Sequence, residues 1–154
     1  MANHYHHGQL RVTPSPFAGR PILTGKAGLT RLAIESWVDG CLGEGFAAQR
    51  AMVAGQQAQQ KEVRSTQHSI AVDEQKHAEL GWKIVAWVLS QDTDGEIRQQ
   101  LAELRGVSPD LASTAVTAEL QVHGCLSNVQ QLAAWEQVHK TSLHRLEHLF
   151  IHRS

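Results

Sequence analysis

The chain is expected to be all-α, and three observations carry that expectation. Apolar residues recur at intervals of three and four from Leu29 onward, Pro109 is the one proline after that point, and Ala, Gln, Glu and Leu are plentiful. A length of 154 residues, 42% hydrophobic and 19% charged, suits one domain with a full core and leaves too little for two. Residues 1–28 read as an irregular N-terminal arm, because Pro14, Pro16, Pro21, Gly8, Gly19, Gly25 and Gly28 interrupt any regular period. Within it His4, His6 and His7 have a spacing that suits either metal capture or a solvated cluster.

Residues 29–154 then read as a helical bundle. A first helix over about 29–54 and a second over about 61–90 are joined by the glutamine-rich turn at 55–60, and so pair as an antiparallel hairpin. Asp92, Asp94 and Gly95 end the second helix, and a short amphipathic crossover follows over 96–105, stopped by Gly106. Ser108 as N-cap and Pro109 at the first helical position start a third helix to about His123. After a turn at 124–127, Asn128 opens a fourth helix to Ile151. The expected architecture is a four-helix bundle of two antiparallel hairpins.

Charge and hydropathy exclude several functions. Lys plus Arg total 14 against 15 for Asp plus Glu, a net charge of −1, so no field exists to hold nucleic acid or an anionic membrane. The longest apolar run, 84–89, is far short of the roughly 20 residues of a bilayer span, and no apolar leader follows the start, so a soluble cytoplasmic protein is expected. Cys41 and Cys125 have no CxxC spacing and read as small core residues in a reducing compartment.

Two helical seams carry chemistry. Ile70, Glu74, His77, Gly81, Ile84 and Val88 are spaced 4, 3, 4, 3 and 4, and Ile34, Trp37, Cys41, Glu44, Ala48 and Ala51 are spaced 3, 4, 3, 4 and 3. Both rows are expected to face inward, and buried carboxylates need a shared cation or proton. With a turn near Gln59, Glu44 lies 15 residues before it and Glu74 15 after, which puts them at one level, with His77 a turn farther on. One Glu facing a Glu-x-x-His pair is the half-site of carboxylate-bridged di-iron bundles, and this donor set suits Fe or Mn better than structural zinc. The alternative is a buried hydrogen-bonded triad that fixes helix register.

The segment Asp39-Gly40-Cys41-Leu42-Gly43-Glu44, followed by Ile70-Ala71-Val72-Asp73-Glu74-Gln75-Lys76-His77-Ala78-Glu79-Leu80-Gly81-Trp82, resembles the ferritin-like superfamily. It is most similar to bacterial ferritin-like domain proteins of the carboxylate-bridged di-iron type, over roughly residues 18–90, with Gly19-Arg20-Pro21 as a faint echo. The resemblance implies a four-helix fold with Glu44, Glu74 and His77 as metal ligands.

The other ligands have two candidate sources. The row Val129, Leu132, Glu136, His139, Leu143, Leu146 and Phe150 contains a second Glu-x-x-His, and Glu119 is level with Glu136 about a turn at Ser127–Asn128. Glu119 and Glu136 lie only about 8 residues from that turn, with His139 a turn farther on, so the two half-sites meet only if the hairpins are staggered by roughly 10 Å. Otherwise two chains pair their first hairpins across a two-fold axis, an arrangement resembling the encapsulated ferritins.

The remaining residues read more plainly. His144, His148 and His152 form either a metal-binding face or a wet polar stripe, Trp37, Trp82, Trp87 and Trp135 read as core, and Asp73 and Lys76 are expected to face solvent. Gly40, Gly43 and Gly45 each weaken the first helix by about 1 kcal/mol relative to Ala, so a close helix approach or a local bulge beside Glu44 is expected.

The expected function is a di-iron or Fe/Mn centre that reacts with oxygen or peroxide, as a homodimer or larger homo-oligomer. Its enzyme class is an oxidase or oxygenase served by an external electron donor, since no haem, flavin or cysteine-ligated iron motif is present. Oxygenation of an organic substrate needs an apolar cavity, for which Trp37, Cys41, Ala48, Gly81 and Ile84 are the candidates. The competing expectation is a metal-free bundle that associates through Leu143, Leu146, Phe150 and Ile151.

Overall fold

The computed structural model describes residues 23–109, 111 and 116–151, which contain helices and no strand. The chain's first rod is built from α1 (Gly25–Glu35), a π-helical segment (Ser36–Glu44) and α2 (Gly45–Gln57). Glu35 at φ −62°, ψ −42° and Glu44 at φ −68°, ψ −36° stay right-handed, so the rod is continuous through both junctions. Ala58 and Gln60 then take extended torsions, and α3 (Lys61–Gln91) returns antiparallel. Arg64 holds the turn by donating from Nη1 to the Ala58 and Gln59 carbonyls at 3.2 and 2.6 Å.

Beyond α3 the chain turns sharply at Gly95, whose φ of +81° suits glycine, into α4 (Glu96–Glu103) and a 3-10 turn (Leu104–Gly106). The buried Asp92 carboxylate accepts from the Ile97 and Arg98 amides at 3.2 and 3.0 Å, so it satisfies the open N-terminus of α4. Next come the short α5 (Ala118–Val122) and the 24-residue α6 (Asn128–Ile151), which packs against α2. The core joins these elements, α5 excepted, through Ala33, Trp37, Leu42, Phe46, Val85, Val88, Ile97, Leu101 and Leu146. Trp37 meets Trp82 edge to face at 5.7 Å, and Phe46 meets Trp135 likewise at 5.5 Å.

Several expectations are corrected. Helix begins at Gly25 rather than Leu29, since Thr24 is the extended N-cap and Lys26 ties the first turn to Asp94 and Glu96 across the molecule. Residues 1–22, with His4, His6 and His7, lie outside the described residues. The third helix amounts, in the described residues, to α5: Thr117 is extended and its Oγ1 caps the Leu120 amide at 3.4 Å, so the helix starts afresh there. The rest of that expected helix includes residues 110 and 112–115, outside the described residues. What the described residues form is three long rods with short helices, not two equal hairpins.

On α6 the buried positions are Gln131, Ala134, Trp135, Ser142 and Leu146, a stripe rotated from the expected row, and Val129 is 78% exposed. Leu143, Leu146 and Phe150 pack into the core, so of the expected association patch Ile151 alone is exposed. Trp87 and Cys125 are exposed rather than in the core.

Candidate metal centre

The centre is built on a helix crossing without side chains. A Cβ on Gly81 would lie 3.0 Å from the Gly40 Cα and from the Cys41 nitrogen, and one on Gly40 would lie 3.1 Å from the Gly81 Cα. Here the rods touch backbone to backbone, which only glycine permits. Counted from this contact, Glu44 is four residues along its rod and His77 four residues back along α3, so the antiparallel pair stands level.

The π segment, which ends on Glu44, sets its phase. Bonds of the i→i+5 kind put more residues in each turn, and the buried positions Trp37, Cys41, Leu42 and Phe46 follow the wider spacing. Glu44 therefore falls beside the buried stripe, half-buried at its edge. The expectation of a close approach or a bulge beside Glu44 is met twice over.

Ligand atoms of Glu44, Glu74 and His77 all lie within 4.8 Å of one another. His77 Nδ1 donates to Glu74 Oε2 at 3.1 Å. Burial pushes the Glu44 carboxyl above its ordinary value, helped by a hydrogen bond with Glu74, while that same bond and then His77 pull Glu74 below its own. A proton shared by the two acids is therefore held on the Glu44 side, to a higher pH than an ordinary carboxyl keeps it. A cation is the alternative occupant of that position.

The centre is nonetheless at the surface. His77 has 61% of its side chain exposed and Glu74 27%, against the expectation that both face the core. The buried face of α3 is made by Ala71, Ala78, Gly81, Trp82, Val85, Val88 and Leu89, and Ile70, Glu74 and His77 flank it. Asp73 and Lys76 pair with each other at 2.9 Å in solvent.

The second expected half-site is not assembled. Among the described residues the one group of three potential ligands within reach of an ion is Glu44, Glu74 and His77. Glu119 is exposed on α5 and Glu136 exposed on α6. His139 stacks on Trp135 and donates from Nε2 to the Arg105 carbonyl at 2.6 Å, which occupies that nitrogen structurally. The shortness of α5 accounts for the failure, because Glu119 has no long helix to bring it beside Glu136.

His144 and His148 meet edge to face at 4.6 Å on the exposed face of α6, and His152 is outside the described residues. Trp37 and Cys41, expected to line a cavity, are packed at 0% and 1% exposure, and Gly81 is filled by the opposing backbone. Burial lifts the Cys41 thiol to about 12. No helix among the described residues is long and apolar enough to cross a membrane.

Comparison with protein-family models, with curated proteins and with solved structures finds no match to this chain.

Proposed function

We propose that the chain is a ferritin-like metal-binding protein whose Glu44, Glu74 and His77 hold iron, or manganese, for reaction with oxygen or peroxide. The observation that carries the reading is the convergence of two carboxylates and an imidazole, from two helices, within 4.8 Å. Hard oxygens with one imidazole fit Fe or Mn, and two carboxylates this close mark where positive charge is wanted. A π segment ending on a ligand also supports the reading, since such distortions of the helical ladder gather at functional sites.

Three ligands at a surface leave a site half-made, and the partner that completes it is a second copy of the chain. Ile70, Asp73, His77, Leu80, Ile84 and Trp87 repeat at intervals of 3 and 4, a seam fit for another helix. Leu80 and Trp87 on that seam are 57% and 53% exposed. Two hairpins joined there across a two-fold axis make the four-helix, ferritin-like arrangement, each contributing one Glu and one Glu-x-x-His. Glu44, Glu74 and His77 would hold ferrous iron, which when bound would supply the electrons for reaction with oxygen or peroxide, its re-reduction needing an external donor. The chain's own part is to offer the Glu44 and Glu74 carboxylates to the cation, to orient His77 through Glu74, and to exclude water once the seam is covered.

The test is metal content after expression in iron- and manganese-replete medium. Wild type is expected to carry about one ion per chain, and Glu74→Ala and His77→Ala next to none. Wild type without metal overturns the reading. The exposure of Leu80 and Trp87 favours one alternative, a metal-free association module, for which a dimer would persist in both variants.

A further inference from the structure

One helical turn from the carboxylates, toward the hairpin turn, lies an open cavity of ≈ 450 Å³. Its wall nearest the acids is Ala47, three residues after Glu44, and Ile70, four residues before Glu74. That spacing puts both on the helix faces that carry the cluster. Leu120 of α5 and Leu126 of the following turn also line it, and Ala47, Ala51 and Ala54 on α2 leave the space. The volume falls within the roughly 300–1,000 Å³ of small-molecule sites.

The charge in this cavity has one sign. Arg50 lines it, exposed, with its guanidinium 5.4 Å from the centre of the Phe46 ring. No Asp or Glu is among the lining residues, and among the described residues no carboxylate forms an ion pair with Arg50. The groove on the other side of the same hairpin differs, because there Arg64 is already committed to the Ala58 and Gln59 carbonyls.

We propose that this cavity binds a small organic anion with an apolar body, its acid group on Arg50 and its hydrocarbon against Ile70 and Leu120. As the substrate pocket of a metal centre it rests on the reading above; as a binding cavity it stands without it. A cation offered to an acid group and an apolar wall offered to a chain are the complementarity such a molecule requires.

The accessible thiol makes the test direct. Cys125 lines the cavity and is exposed, whereas Cys41 is sealed in the core. The reaction of Cys125 with a thiol reagent is followed in the metal-free full chain, with octanoate, octanol and acetate as probes. Octanoate is expected to slow the reaction severalfold at saturation, octanol only at higher concentration, and acetate not at all.

In Arg50→Gln about tenfold more octanoate is needed while the octanol response is unchanged, the loss of one charge-assisted contact. In Ala47→Leu, which fills the wall nearest the acids, protection by both disappears; Arg50→Gln, at an exposed position, carries the test if that variant misfolds. An unchanged Cys125 rate in octanoate overturns the proposal, as does equal protection by octanol or undiminished octanoate affinity in Arg50→Gln. Metal-free protein keeps the two readings apart, since a chain that binds no iron leaves this assay intact and a failed assay leaves metal content standing.

Discussion

Replacing Gly81 by alanine tests the crossing on which the centre stands. The added Cβ would sit 3.0 Å from three backbone atoms of Gly40 and Cys41, against the roughly 3.5–4.0 Å of ordinary carbon contact. Backbone cannot rotate aside, so the rods must separate by about half an ångström or more. Overpacking of this kind costs about 1–3 kcal/mol, and alanine's better helix propensity returns about 1 kcal/mol, so a net loss of up to about 2 kcal/mol is expected.

Urea unfolding followed by tryptophan fluorescence measures this as a lower midpoint at unchanged slope. Gly43→Ala is the internal control: its Cβ meets only the Val38 carbonyl, at 3.4 Å, so the propensity gain has little to oppose it. Because Glu44 is one turn from the crossing, metal affinity should fall in Gly81→Ala and hold in Gly43→Ala. A Gly81→Ala protein as stable as wild type, with equal affinity, would refute the reasoning.

Other outcomes follow from the same coordinates. Metal affinity should weaken as pH falls through the raised Glu44 value, with a proton released on binding, measured by calorimetry in two buffers of different ionisation heat. In the metal-free chain the raised Glu44 value means stability lost as pH rises from the ordinary carboxylate range through it. The lowered Glu74 value opposes this with stability lost as pH falls through it, so chevron or urea midpoints across acid pH should show partial cancellation. With the Cys41 thiol at about 12 and 1% exposed, mass spectrometry after alkylation near neutral pH should find one modified cysteine, Cys125, in native protein and two after unfolding. Asp92→Ala strips the acceptors of two amides at the start of α4 and should cost about 1–2 kcal/mol by urea unfolding.

How much of this was legible in the sequence depended on which signal each residue gave. Gln-rich residues between two periodic segments marked the hairpin turn, and from that alone Glu44 and Glu74 come to one height with His77 a turn farther on. Asn128 and the unbroken period to Ile151 delimited α6. The phase of α3 was not legible, because two rows of spacing 3 and 4 run along it. Ala71, Ala78 and Gly81 form much of the buried one, and small side chains carry little hydropathy signal. The glycines at 40, 43 and 45 announced a distortion beside Glu44 without giving its form, since no residue type selects a π turn. Glu119 misled because Ser108 and Pro109, a good helix start by residue type, are not helical, and the helix begins only after Thr117.

The most direct measurement is anomalous diffraction from crystals soaked in ferrous iron. A peak at bonding distance from Glu44, Glu74 and His77, facing the same triad of a second chain, is the predicted result. Crystals with no peak at this triad, or with iron only on His144 and His148, would contradict it.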